Sequence, residues 1–119
     1  MPQTNIRMDV RAIDPIISII DIQGDVSAAA EQVLTDAYAQ ANAPTTRVII
    51  LNFNGLAYMN SSGIGLLVTL LVRVKRQKQH LLAYGLSEHY RHIFEITRLS
   101  DAILLYGSEQ DVLAAARAL

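Results

Sequence analysis

The strongest constraint on the fold is an alternation of short apolar runs with longer segments that repeat apolar residues at helical spacing. An alternating run, 8–13, and a run rich in β-branched residues, 16–22, open the chain and flank the turn signal Asp14-Pro15. Strands and helices then alternate to the end, which is typical of right-handed crossovers between parallel strands. The sequence therefore predicts an α/β fold, a small mixed but mostly parallel β-sheet with α-helices packed against it.

The element boundaries follow from the same patterns. Besides the opening hairpin, strands are predicted at 47–53, 80–84 and 102–105. A first helix begins at a Ser27 cap and ends before Pro44, and further helices are predicted at 62–79, 87–97 and 111–119. Residues 54–59 are predicted to form a loop, and the turn at Gly24-Asp25 is predicted to end the second strand.

Composition limits the classes of function. The 119 residues suffice for one domain, predicted to span 1–119, with 51% hydrophobic and 18% charged residues. The net charge of −1 argues against general nucleic-acid binding, which needs a basic excess. The absence of cysteine excludes disulfides, thiolate zinc sites and a cysteine nucleophile. We also expect no cofactor, and Gly63-X-Gly65 is too little for a nucleotide-binding loop.

Two observations bear on localisation. Residues 1–7 lack a basic region followed by an apolar run, so they do not resemble a secretory signal. The most apolar stretch, 64–72, is far shorter than the roughly 20 residues needed to cross a bilayer. We expect a cytoplasmic protein without a membrane partner.

The segment Asn60-Ser61-Ser62-Gly63 stands between a buried strand and a long helix. Ser and Asn at this point are typical of helix caps, which contribute about 1 kcal/mol. Loops after parallel strands also carry function in open α/β sheets, which favours an exposed, functional serine. A phosphate there would add roughly −1.5 to −2 charge, and the helix dipole would favour it. Spacing alone leaves both interpretations open.

Helical spacing also divides the helix that follows into two faces. The face predicted to pack on the sheet comprises Ile64, Leu67, Val68, Leu71 and Val74. The opposite face carries Leu66 and Leu70, which we therefore expect to be exposed beside Ser62 and Arg73. An exposed apolar patch of this kind indicates either a docking surface or packing under a neighbouring loop.

The remaining candidate residues point to no enzyme. His89 and His92 could share a helix face, but beyond Glu88 and Glu95 no further ligand stands out, so we predict no metal site. The serines lack a Gly-X-Ser-X-Gly frame and a His–Asp pair, which excludes a hydrolase elbow. A basic run indicates a solvated helix end that complements the dipole, or a docking site for an acidic partner. The run comprises Arg73, Lys75, Arg76 and Lys78.

Three segments, in order, resemble the STAS domain family, and within it the stand-alone anti-sigma factor antagonists. The main segment, 48–67, has an apolar strand, a loop and Asn60-Ser61-Ser62-Gly63, where the family has Asp-Ser-Ser-Gly. The second, Gly24-Asp25-Val26-Ser27, is similar to the family's Gly-Glu-Leu-Asp turn. The third segment consists of 84–87, 96–99 and 104–106.

The resemblance implies a regulatory function. It implies that the chain binds an anti-sigma factor that is also a serine kinase, and so releases a sigma factor. It further implies that this kinase phosphorylates Ser61, which breaks the complex, and that a serine phosphatase reverses the step. Together with the helix face described above, the expected partner surface comprises Gly24, Asp25, Ser27, Asn60, Ser62, Gly63, Leu66, Leu70 and Arg73.

Three departures from the family pattern remove negative charge. Asn60 stands where the family has Asp, Ser27 stands where the turn ends in Asp, and Asn52 replaces a frequent Asp. Asn can mimic Asp as a hydrogen-bond acceptor, so we expect the loop geometry to persist while the electrostatics change. An alternative function follows, a STAS scaffold of a larger signalling complex that is not phosphorylated.

Overall fold

Five strands form one sheet in their sequence order in the computed structural model, which describes residues 5–119. The first strand is antiparallel to the second, and the remaining neighbours are parallel. The prediction of a small mixed, mostly parallel sheet is confirmed. The strands are β1 (Ile6–Asp14), β2 (Ile17–Val26), β3 (Val48–Met59), β4 (His80–Tyr84) and β5 (Leu104–Tyr106).

Four helices cover the two faces of the sheet. They are α1 (Glu31–Ala41), α2 (Ser61–Arg76), α3 (Glu88–Ile96) and α4 (Glu109–Arg117), with short 3-10 turns at Ala28–Ala30 and Leu99–Asp101. The larger apolar core joins α1, α2 and α3 to one sheet face, and the smaller core joins α4 to the other. Ser27 caps the 3-10 turn that leads into α1 rather than α1 itself, and its side chain accepts a hydrogen bond from the Ala29 amide.

The ends of β2 and β3 differ from the sequence prediction. Residues 54–59 form a strand rather than a loop, because they pair with 23–26 of β2, which continues past the expected end at Gly24-Asp25. Two register shifts interrupt the pairing, so the turn-forming residues are accommodated as bulges in a continuous ladder. Gly24 has φ of 95°, a left-handed conformation that favours glycine.

The structure bears on only part of the two observations about localisation. Residues 1–4, part of the N-terminal segment that does not resemble a secretory signal, lie outside the described residues. Among residues 5–119, none of the helices combines the length and apolar character that a bilayer crossing requires.

Candidate functional site

The first turn of α2 presents two serine hydroxyls to solvent. Asn60 is the N-cap, and its Oδ1 accepts a hydrogen bond from the Gly63 amide at 3.0 Å. Ser61 and Ser62 are exposed, and neither hydroxyl has a hydrogen-bond partner within residues 5–119. The capping interpretation therefore applies to Asn60 alone. The hydroxyl of Ser61 is therefore exposed and is not used as a cap.

Gly63 sets how closely α2 approaches the sheet. The Asn60 amide donates to the Val26 carbonyl oxygen at 3.3 Å, where the helix meets the end of β2. A Cβ on Gly63 would overlap that same oxygen and would lie 2.9 Å from Cγ of Met59. Gly63 is buried and has no side chain, so it lets α2 approach the sheet closely and does not itself meet a partner.

The second family-like segment lies beside the first. Asp25 is paired with Tyr58 and Val26 with Met59, because β2 and β3 run in parallel to the same edge of the sheet. Asp25 is half-buried, and Tyr58 is 51% exposed. The structure thus places 24–27 and the start of α2 at one edge.

Gly24 has a local structural role at this edge. A Cβ on Gly24 would overlap the carbonyl oxygen of Asn5, which accepts a hydrogen bond from the Asp25 amide at 2.7 Å. Ser27 is half-buried and caps the 3-10 turn before α1. Both residues therefore shape the backbone around the end of β2, and neither carries a charge.

A tyrosine of α3 supports the segment before Ser61. The hydroxyl of Tyr90 accepts a hydrogen bond from the Met59 amide at 2.9 Å, two residues before Ser61. Tyr90 packs against the main core, and its ring meets the His89 ring edge to face at 4.9 Å. Sequence reasoning missed this contact because it joins residues 31 positions apart and depends on how α3 docks.

The predicted faces of α2 require a correction. Leu70, expected on the exposed face, is only 2% exposed, and Val68, expected against the sheet, is 44% exposed. The reason is that α1 packs along one flank of α2 and lines a small cavity together with Leu66 and Leu70. Leu70 cannot meet a partner as an exposed side chain. Leu66 is half-buried.

The outward face of α2 is neutral and has small or apolar side chains. Ser61, Gly65, Val68 and Val72 follow one another at spacings of four, three and four residues, and all are exposed. No described atom outside the helix lies within 4 Å of the position that a Cβ on Gly65 would take. Packing within the domain therefore does not require this glycine. A partner helix or loop could approach the backbone closely along this face.

A hydrogen bond explains why position 52 carries a neutral residue, Asn52. Its Nδ2 donates to Asp21 at 2.7 Å, on the sheet face that carries α4, so a carboxylate at 52 would confront Asp21. Burial raises the pKa of Asp21, but the hydrogen bonds from Arg11 and Asn52 outweigh burial and hold the pKa below its usual value. Arg11 also pairs with Glu109 at 2.7 Å. Ser61 does not belong to this group of side chains, which consists of Arg11, Asp21, Asn52 and Glu109.

The histidines show no metal-site geometry. His89 and His92 are both exposed on α3. Across the described range 5–119, no three His, Asp or Glu side chains come together in an arrangement that could hold a metal ion.

Comparison with known proteins settles the family. The sequence model of the STAS domain matches residues 7–112. The chain belongs to the STAS domain family. The anti-sigma-B factor antagonist of Listeria monocytogenes is 25% identical over 108 residues, which are 91% of this STAS domain and 95% of that protein.

Solved structures share this STAS fold. An anti-sigma factor antagonist from Mycobacterium paratuberculosis superposes with a TM-score of 0.82 at 17% identity, over 98% of this chain and 97% of that one. The Bacillus cell fate determinant SpoIIAA in its phosphorylated form superposes with a TM-score of 0.65 at 18% identity, over 92% and 98%. At these identities the likeness concerns the fold.

Proposed function

We propose that this STAS domain is an anti-sigma factor antagonist whose binding to an anti-sigma factor with serine kinase activity releases a sigma factor. Phosphorylation of Ser61 by that kinase switches the complex off, and a serine phosphatase restores it. The observation that carries the proposal is the Ser61 hydroxyl, exposed at the start of α2 and relieved of capping by Asn60. The name of the Listeria relative supports the same class of function.

A phosphate on Ser61 is compatible with the folded domain. The positive end of the helix dipole favours an anion, and the first turn of α2, all of it described, holds no acidic residue to repel it. Asn60, being neutral, also repels it less than the family's Asp would. We therefore expect phosphorylation to leave the fold intact.

The same phosphate changes the surface that a partner meets. It places a charge of roughly −1.5 to −2 at the beginning of the neutral face formed by Gly65, Val68 and Val72. A partner that packs on this face would have to desolvate that charge, so its affinity falls. Asp25, Ser27 and Ser62 form the rim of the contact.

Phosphorylation of purified variants tests the proposal. We expect a serine-kinase anti-sigma factor from the same organism, with ATP, to phosphorylate the unchanged chain and Ser62→Ala but not Ser61→Ala. Tandem mass spectrometry locates the phosphate, and Ser62→Ala is the matched control because it removes the adjacent exposed hydroxyl. Phosphate on Ser62 instead would contradict the assignment. No phosphate at all, with large particles in light scattering, would favour the scaffold alternative.

A further inference from the structure

A cleft separates α1 from the C-terminal half of α2, at the end of the helix remote from Ser61. Its volume is about 360 Å³, within the range of small-molecule sites. Arg73 lies twelve residues after Ser61, or roughly 18 Å along the helix axis. The polar and aromatic residues that line the cleft are Thr35, Tyr38, Asn42, Arg73, Arg76 and Gln77.

The side chains that line the cleft carry a net positive charge. Among the described residues that line it, two are arginines and none carries a carboxylate. Within residues 5–119, neither Arg73 nor Arg76 takes part in an ion pair. Glu31 lines only the smaller adjoining cavity, which shares Arg73 with the cleft, so the Arg76 end is the more favourable for an anion.

The wider surroundings reinforce this charge. Five of the ten basic residues of the chain lie at this end of α2 or at the start of β3. A concentration of exposed positive charge attracts anions. They are Arg47, Arg73, Lys75, Arg76 and Lys78.

Hydrogen bonds and ring contacts hold the lining in place. The guanidinium carbon of Arg73 lies 5.7 Å from the centroid of the Tyr38 ring, and the Tyr38 hydroxyl donates to Gln79 at 2.8 Å. The Gln79 amide donates to Oδ1 of Asn42 at 2.7 Å, which leaves the Asn42 amide nitrogen as a donor. The site thus offers one cation held against a ring, Arg73, a second exposed cation, Arg76, and neutral donors.

We propose that this cleft binds a small molecule that carries two linked phosphate groups. Planar guanidinium groups match phosphate oxygens in a bidentate manner, and two of them in one cleft suit two phosphates. The neutral amide and hydroxyl donors of Asn42, Gln77 and Thr35 complete the coordination of the oxygens. A ligand here leaves Ser61 uncovered, so this site is a second input, separate from the proposed phosphorylation.

Isothermal titration calorimetry of the full chain with pyrophosphate, at constant ionic strength, tests the proposal. We expect saturable binding, weakened about tenfold or more in Arg73→Gln/Arg76→Gln. The matched control is Lys75→Gln/Lys78→Gln, which removes the same charge from the same helix end but outside the cleft. Its dissociation constant should change by less than about threefold. Urea denaturation of each variant verifies that it is folded.

Three results would overturn the proposal. The first is the absence of saturable pyrophosphate binding. The second is an equal loss of pyrophosphate affinity in the two double variants, which would indicate only diffuse charge. The third is an affinity for citrate equal to that for pyrophosphate, which would show that phosphate is not selected. Titration with inorganic phosphate should give a dissociation constant at least about tenfold larger than that of pyrophosphate. No kinase takes part in these measurements, so their failure is distinguishable from failure of the proposed function.

Discussion

The two ends of α2 differ in how they meet the rest of the domain. At the first end the helix touches the sheet so closely that only glycine fits at 63, and Tyr90 braces the segment before it. At the second end the helix stands apart from α1 and leaves a cleft of about 360 Å³ between Arg73, Arg76 and the opposite helix.

The difference in packing matches a difference in chemistry. The closed end holds Ser61 at a fixed position on a neutral surface, which suits recognition by a folded protein. The open end offers cations with room between them, which suits a small anion. We therefore propose a separate role for each end of α2. Substitutions along α2 test this difference between its two ends.

Leu70, in the middle of α2, is buried where α2 packs against α1. Leu70→Ala should lower the free energy of unfolding by about 3 kcal/mol, because the side chain is almost fully buried and its removal leaves a cavity. Leu66→Ala, at a half-buried position, should lower it by less than about half as much. Urea denaturation measures both. Equal losses would show that Leu70 is not the residue that seals α2 against α1.

The two glycines of the first turns should respond in opposite directions. Gly63→Ala should lower the free energy of unfolding by about 2 kcal/mol, because the new methyl group overlaps the Val26 carbonyl. Gly65→Ala should raise it by roughly 0.5–1 kcal/mol, since alanine is the better helix former and the site is open. The same denaturation experiment compares them. A gain in stability for Gly63→Ala would refute the close approach at this end.

Removal of the cap should have a smaller effect. Asn60→Ala should lower the free energy of unfolding by about 1 kcal/mol, because the Gly63 amide loses its acceptor. Ser61→Ala should leave it unchanged within about 0.5 kcal/mol, since an exposed serine without a hydrogen bond supports nothing in the fold. Thermal unfolding followed by circular dichroism is sufficient. A larger loss for Ser61→Ala would assign the cap to the serine.

Much of the fold was predictable from local patterns. The alternation of strands and helices and the strand at 80–84 follow from neighbouring residues, and the structure confirms them. The extension of β3 to Met59 was not predictable, because its turn-forming residues are held in the sheet by pairing with β2.

The site was predictable only in part. The segment 60–63 located the start of α2, but the nearly continuous apolar run 66–72 is compatible with two helical phases. The position of α1 decides between these phases, and it buries Leu70 while it leaves Val68 and Val72 exposed. The Tyr90 contact and the cleft beside Arg73 likewise depend on the distances between helices, which no local pattern encodes.

The affinity of the serine-kinase anti-sigma factor for two variants at position 61 shows whether charge at Ser61 governs partner binding. We predict that Ser61→Ala binds as tightly as the unchanged chain, because it adds no charge to the neutral face. Ser61→Asp should bind about tenfold or more weakly, with an unfolding free energy no lower than that of the unchanged chain. Equal affinities for the two variants, both folded, would contradict the claim that charge at Ser61 governs partner binding.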